Sequence, residues 1–183
     1  GMHGGHAPVR SNTGGVPLPS DAVTMAEVLK QAGYATGGFG KWGLGDLDTE
    51  GVPEKQGFDR FYGYYHQIHA HSYYPEYLID TGRKVPLPGN EGFDAAHPEP
   101  GGQPEDNNGK PAQFSHYLIK REMFNWIWAH KDGPFFCYAP WTPPHGKHQL
   151  PASDPAWQAV KDRPWSMAAK GHAAFTLMID RDM

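Results

Sequence analysis

Hydrophobic residues recur at helical spacing in three stretches of the chain, and these stretches predict three helices. The first covers residues 24–33, where Thr24 as N-cap and Glu27 three residues later form a capping-box sequence. The second covers residues 115–131, with its apolar positions on one face. The third covers residues 166–183 and reaches the last residue without a stop signal, so we expect the chain to be an internal piece of a larger fold.

Shorter apolar runs follow the first two helices and predict strands. Residues 34–39 form one strand, and residues 135–141 form a continuous apolar run typical of a strand covered on both faces. A hairpin is predicted over residues 77–85, with a glycine-containing polar turn at its centre. The two helix-to-strand units indicate an α/β fold.

Two stretches lack the sustained hydrophobic spacing of a helix or a strand. Residues 46–65 mix aromatic, polar and glycine residues and predict irregular, partly buried structure. Residues 86–111 are dense in glycine, proline, asparagine and aspartate, and predict a long loop or insertion.

Composition narrows the classes of partner. The chain has 183 residues, which suits one domain, and its 23 glycines and 18 prolines indicate a loop-rich one. A net charge of −4 without a basic cluster argues against nucleic acid, and the absence of an apolar stretch of about 20 residues argues against a membrane partner. Cys137 is the only cysteine and lies in an apolar run, which predicts a buried, unreactive thiol.

The run 33–45 surrounds one lysine, Lys41, with glycines. Glycine permits positive φ and close backbone approach, so this spacing predicts a turn after a strand that presents a cation to an anion. His145 follows the second helix-to-strand unit, and both residues are expected at one edge of a parallel sheet. On spacing alone, a solvated lysine and an ordinary loop histidine remain alternatives.

A histidine cluster lies between these two residues in sequence. His66, His69 and His71 alternate in a way that predicts His69 and His71 on one side of an extended segment. Their spacing fits no standard zinc pattern, so the sequence predicts no metal ligand here.

Residues 33–45, Gly-Tyr-Ala-Thr-Gly-Gly-Phe-Gly-Lys-Trp-Gly-Leu-Gly, resemble the second signature of type I sulfatases, the arylsulfatase family of the alkaline-phosphatase-like superfamily. Residues 57–63 and the stretch from 134–136 to Pro144-His145 also agree with this family. The sequence of residues 70–75 is most similar to bacterial arylsulfatases and to the branch containing N-acetylgalactosamine-6-sulfatase. The resemblance implies that residues 1–183 form a single partial sulfatase domain, with a central, mostly parallel sheet and flanking helices, loop-rich and incomplete.

The resemblance also implies roles for three residues. Members hydrolyse sulfate esters with a formylglycine made from cysteine or serine, while a calcium ion polarises the sulfate. By motif position, Lys41 and His145 are expected to be catalytic and to bind the sulfate. Many relatives carry a histidine two positions after the lysine, where this chain has Gly43. We therefore expect His71, with His69 as the alternative, to supply the missing substrate-binding donor.

Other family motifs are expected outside the chain. The nucleophile motif should precede a segment like His3-Gly4-Gly5-His6, and the calcium ligands are also expected elsewhere. The sequence is thus interpreted as an inactive fragment of a sulfuric ester hydrolase that acts on aryl or carbohydrate sulfate esters, periplasmic or extracellular by family resemblance. The alternatives are a phosphate or phosphonate ester hydrolase of the same superfamily, and a non-catalytic module that binds carbohydrate or another partner.

Overall fold

The computed structural model describes residues 17–183, so His3 and His6 lie outside the described part. Within that part the chain forms two compact units. Unit 1 contains residues 17–70, 78–85 and 119–141, and unit 2 contains residues 71–77, 86–118 and 142–183.

The secondary structure follows the chain in this order. The strands are β1 (Ala35–Lys41), β2 (Arg60–Tyr64), β3 (Tyr77–Asp80), β4 (Arg83–Pro86), β5 (Gly101–Gln103), β6 (Asp106–Asn107), β7 (Lys110–Pro111), β8 (Phe135–Tyr138) and β9 (Gln149–Pro151). The helices are α1 (Met25–Gln31), α2 (Phe93–Ala96), α3 (Ser115–His130), α4 (Pro155–Val160) and α5 (Met167–Asp182). Short 3₁₀ helices lie at Pro53–Lys55 and His69–His71.

The main sheet has the order β4-β3-β2-β1-β8 among the described strands. β1 pairs in parallel with both β2 and β8, and β2 pairs antiparallel with β3. Our prediction of irregular structure over residues 46–65 was therefore wrong for β2. The strand state of β2 comes from its register with β1, in which Gly37 faces Arg60 and Lys41 faces Tyr64, and a local period does not report such pairing.

α1 has the start and the end that its sequence predicts. The Thr24 hydroxyl accepts a hydrogen bond from the Glu27 amide at 3.1 Å, and the Glu27 carboxylate accepts one from the Thr24 amide at 2.7 Å. Gly33 follows the helix at φ +85°, a conformation that glycine adopts without strain. The chain then enters β1, where Thr36 donates to the Gly57 carbonyl at 2.7 Å.

α3 and β8 form the second helix-to-strand unit. Trp126 of α3 is buried against Phe39 of β1, with ring centroids 5.7 Å apart, and it also meets Phe135 of β8. The expectation of a strand covered on both faces was wrong for the described residues. β8 ends the sheet order, Tyr138 is 40% exposed and Cys137 is only half-buried, because an apolar run reports hydrophobicity and not the number of neighbouring strands.

Unit 2 has its own hydrophobic core. The core residues come from the segments just before β3 and just before α3, from α2, and from β9 through α5; they are Tyr73, Tyr74, Phe93, Phe114, Leu150, Ala156, Trp157, Val160, Ala174, Phe175 and Met178. The stretch 86–111 contributes to this unit through α2, β5, β6 and β7. Its buried Asn90 and Asn107 each donate to two backbone carbonyls, which holds the glycine-rich and proline-rich backbone in place.

A charge network around two buried carboxylates joins α4, α5 and the first turn of α3 within unit 2. Arg181 of α5 pairs with Asp154, the N-cap of α4, at 3.0 Å and with Asp182 at 2.9 Å. His116 of α3 contacts the other oxygen of Asp182 at 3.0 Å. The Tyr117 hydroxyl donates to Asp154, so both buried carboxylates have several partners.

Candidate functional site

Lys41 ends β1 with its backbone held from both sides. Its amide donates to the Pro140 carbonyl at 2.8 Å on the β8 side, and the next amide, that of Trp42, donates to the Tyr64 carbonyl at 2.8 Å on the β2 side. The side chain is half-buried. Within residues 17–183 its ammonium forms no hydrogen bond or ion pair, so the positive charge is available to an anion.

Two glycines let the strands approach each other beside Lys41. Gly40 has φ +139°, and a Cβ built on it would overlap the Pro140 carbonyl oxygen. Gly63 has φ +149°, and its Cβ would overlap the Gly40 carbonyl oxygen. Any larger residue would push the strand ends apart, so these glycines fix where Lys41 leaves the sheet.

Gly43 shows why no larger side chain stands two positions after the lysine. It adopts φ +79°, and a Cβ there would overlap the amide nitrogen of Gln67 and lie 2.8 Å from its Cδ. The Gln67 side chain thus fills the room beside this turn.

Trp42 holds the turn after Lys41 in place. Its indole N–H donates to the Gly51 carbonyl at 2.7 Å, and its ring meets Phe58 and Phe61 edge-on at 5.6 and 6.2 Å between centroids. The indole is 9% exposed. The residue after Lys41 is therefore fixed by one hydrogen bond and an aromatic cluster.

His145 lies in unit 2, on an exposed loop that follows two consecutive prolines. Its amide donates to the Thr142 carbonyl at 3.0 Å, and its Nδ1 lies 3.0 Å from the Gly146 carbonyl oxygen. Because a carbonyl only accepts, we assign the ring proton to Nδ1. The Tyr73 hydroxyl donates to the His145 carbonyl at 2.7 Å. Nε2 is the ring atom left to meet a ligand.

The structure brings His71 and His145 together. Their rings stack with centroids 4.8 Å apart and planes inclined by 14°. The extended segment predicted for the histidine cluster was wrong, because residues 69–71 form a 3₁₀ turn, and the His69 ring meets Tyr64 edge-on at 5.1 Å. Lys41 belongs to unit 1, while His71 and His145 belong to unit 2. A shared site for all three stays a prediction.

Sequence reasoning missed two further histidines of unit 2. Nε2 of His148 lies 3.1 Å from the Pro144 carbonyl and 3.3 Å from Nδ1 of His172. Burial lowers the pKa of His148, and the neighbouring His172 and His145 lower it further. In the sequence, His148 could have been found by its position three residues after His145. Nothing in the sequence pointed to His172, because it comes from a distant helix.

The other candidate groups have these outcomes. Burial raises the pKa of the Cys137 thiol to about 11, which agrees with an unreactive cysteine. Within residues 17–183, no group of three or more histidine, cysteine, aspartate or glutamate side chains is arranged to hold a metal ion. Over the same residues, no helix is both long and apolar enough to cross a membrane.

Solved structures share this fold. A crystal structure of Ps i-CgsB in complex with k-i-k-neocarrahexaose matches 94% of this chain and 36% of its own, with a TM-score of 0.65 and 23% identity. The structure of BT33336S-sulf, from the metabolism of multiple glycosaminoglycans by Bacteroides thetaiotaomicron, matches 95% of this chain and 44% of its own, with a TM-score of 0.60 and 21% identity. These matches show that the chain shares its fold, a mixed and mostly parallel sheet with flanking helices, with these proteins.

The sequence comparisons give the family. The Sulfatase family model matches residues 3–169, and the chain belongs to this family. The chain is 30% identical to mouse arylsulfatase J over 135 residues, which is 73% of this chain and 21% of the relative. It is 53% identical to human arylsulfatase A over 57 residues, which is 30% of this chain and 11% of the relative. The chain therefore spans about a fifth of the length of the first relative and about a tenth of the second.

Proposed function

We propose that the protein hydrolyses sulfate esters, and that this chain supplies a cation and a proton donor to the sulfate site. The observation that carries the proposal is Lys41. Its amide donates to the Pro140 carbonyl, the next amide, that of Trp42, donates to the Tyr64 carbonyl, and its ammonium has no counter-charge within residues 17–183. Membership of the Sulfatase family makes a sulfate ester the anion of choice.

Lys41 would bind the non-bridging oxygens of the ester. Negative charge accumulates on the sulfate and on the bridging oxygen as the S–O bond breaks, and a fixed ammonium stabilises this charge more than the mobile dipoles of water do. The backbone clamp around Lys41 keeps the origin of the side chain fixed, so little reorganisation accompanies binding.

His145 would protonate the leaving group. Hydrolysis breaks the S–O bond and leaves an alkoxide or phenoxide, which must gain a proton as water adds to sulfur. In its imidazolium form His145 keeps Nδ1–H on the Gly146 carbonyl and presents Nε2–H to that oxygen. The neutral ring that remains is the tautomer assigned from the contact of Nδ1 with the Gly146 carbonyl.

His71 is proposed as a second donor to the substrate. Its stacking on His145 limits rotation of both rings, so any ligand that contacts one ring lies near the other. This role was suggested by the glycine at position 43, and the stacked geometry supports it.

The family's calcium ion and formylglycine are not assigned to residues of this chain. No described cluster fits a metal ion, and Cys137 has a raised pKa in an apolar strand. We derive no step through either group, and expect the 183-residue chain alone to bind calcium weakly and to show no turnover.

Aryl and carbohydrate sulfate esters are both proposed as substrates, since the relatives include arylsulfatases and a protein of glycosaminoglycan metabolism. We also propose a periplasmic or extracellular location, which fractionation of cells expressing the gene would test.

The test measures turnover by the full-length gene product on 4-nitrophenyl sulfate and 4-nitrophenyl phosphate. Lys41→Ala and His145→Ala are each expected to lower kcat/KM by roughly 100-fold or more on the sulfate, and His71→Ala by less. Lys161→Ala, which removes an exposed lysine of unit 2, is the matched charge control. Preference for the phosphate ester would favour the phosphatase alternative, and binding of sulfated sugar without turnover would favour a non-catalytic module.

A further inference from the structure

The loop that carries His145 is poor in backbone donors. Pro143 and Pro144 have no amide hydrogen, so this stretch cannot be fastened by its own N–H groups at these positions. Its carbonyls are fastened instead. The Pro144 carbonyl accepts from His148 at 3.1 Å, and the His145 carbonyl accepts from Tyr73 at 2.7 Å.

Tyr73 is the more rigid of these two donors. It is 1% exposed, and its ring meets Phe175 edge-on at 4.7 Å and Phe114 at 6.0 Å within the core of unit 2. His148 by contrast is only partly buried. A buried ring held by aromatic neighbours places its hydroxyl with little freedom, so the His145 carbonyl is fixed relative to the core.

We propose that Tyr73 is a positioning residue for His145. Its hydroxyl fixes the His145 backbone, the adjacent Gly146 carbonyl then takes Nδ1–H, and Nε2 is left free in a defined orientation. The stack with His71, two residues before Tyr73, restrains the plane of the His145 ring. This inference rests on the proposed function for its purpose, but its geometry can be tested without substrate.

The neighbouring residue offers a matched control. Tyr74 is 2% exposed and stacks on Phe93 at 4.1 Å, but its hydroxyl has no hydrogen-bond partner among residues 17–183. Tyr73→Phe and Tyr74→Phe therefore make the same chemical change in adjacent buried side chains. Only the first removes a hydrogen bond to the His145 loop.

The experiment uses the 183-residue chain and long-range ¹H–¹⁵N spectra of its histidine rings near pH 8, where a neutral ring reports its tautomer. In the parent chain and in Tyr74→Phe, we expect the His145 ring to show Nδ1–H. In Tyr73→Phe we expect its signals to move toward the tautomer average of a free histidine, and the His145 amide, bonded to Thr142, to exchange about five- to tenfold faster.

Val160→Ala serves as a core control. Val160 is 5% exposed in the same core, so its truncation lowers stability without removing a donor to the loop. His145 signals that change equally in Tyr73→Phe and Val160→Ala would overturn the positioning role, as would His145 signals in Tyr73→Phe that match the parent. Should Tyr73→Phe fail to fold, the inference is also overturned, since it assigns the hydroxyl a local role.

Turnover of 4-nitrophenyl sulfate by the full-length gene product separates the two proposals. A His145 ring that depends on Tyr73, together with a full-length protein that does not hydrolyse the ester, would leave the positioning role standing and count against the proposed function. Hydrolysis by the full-length protein, together with His145 signals that do not depend on Tyr73, would support the function and overturn the positioning role.

Discussion

Replacing Trp42 by phenylalanine tests how firmly the turn after Lys41 is held. The indole N–H donates a hydrogen bond to the buried carbonyl of Gly51 at 2.7 Å, and phenylalanine has no such donor. Leaving that carbonyl without a partner costs about 1–3 kcal/mol. The smaller ring also leaves about 40 Å³, which at about 24 cal/mol per Å³ adds about 1 kcal/mol. We expect Trp42→Phe to lower the free energy of unfolding by about 2–4 kcal/mol.

The assay is urea unfolding of the 183-residue chain followed by circular dichroism, together with amide hydrogen exchange. The amides of Trp42 and Gly43, which donate to the Tyr64 and Tyr65 carbonyls, should exchange faster in the variant. Trp128→Phe is the matched control, because Trp128 is 74% exposed on α3. Its free energy of unfolding should change by less than about 0.5 kcal/mol. Equal effects of the two substitutions would refute the reasoning that the indole hydrogen bond and the aromatic cluster hold the turn.

Three further predictions concern titratable groups. Burial raises the pKa of Asp59, but hydrogen bonds from Lys30 and Thr36 outweigh it and hold the pKa below 3.8, so its stabilisation is lost as the pH falls through that lowered value. The difference in free energy of unfolding between Asp59→Asn and the parent chain should therefore become smaller in acid, as measured by urea unfolding. Burial lowers the pKa of His148 below 6.5, so protonation favours the unfolded state as the pH falls below 6.5. His148→Gln, which keeps an N–H donor, should flatten the loss of stability between about pH 7 and 5. Cys137, with a pKa of about 11, should react with a disulfide reagent near pH 8 roughly 50-fold or more slower than in the unfolded chain.

Each of these predictions has a contradicting outcome. A stability gap for Asp59→Asn that stays constant from neutral to acid pH would show that the two hydrogen bonds do not depend on the carboxylate charge. Parallel pH profiles for His148→Gln and the parent chain would remove His148 as the titrating group. Equal thiol reactivity in folded and unfolded chains would contradict the burial of Cys137.

Local signals were enough for α1, α3, α5 and the hairpin, but not for the short helices α2 and α4. The capping box of Thr24 and Glu27 involves only neighbouring residues, and both of its hydrogen bonds are present. The hairpin turn is also local, since Thr81 and Gly82 both adopt positive φ between β3 and β4. Such elements are encoded within a few residues, so a single sequence predicts them well.

Features that depend on distant partners were predicted less well. β2 exists because it pairs with β1, and β8 is half-exposed because of its place in the sheet. The resemblance named His71 and His145 as substrate-binding residues, but no spacing rule reports that rings 74 positions apart stack. Tyr73 was not singled out, since a buried tyrosine in an aromatic stretch looks the same whether or not its hydroxyl holds a loop.

The left-handed turn at Gly43 has a consequence for how this position can evolve. Because Gly43 adopts φ +79° and the Gln67 side chain occupies the space that a Cβ at position 43 would need, a histidine at 43 would carry backbone strain and would displace the Gln67 side chain. Positions 43 and 67 are therefore coupled, since a Cβ at 43 needs either another rotamer of Gln67 or a smaller residue at 67. In a set of related sequences, this coupling would appear as covariation between a glycine with a long amide side chain and a histidine with a smaller residue.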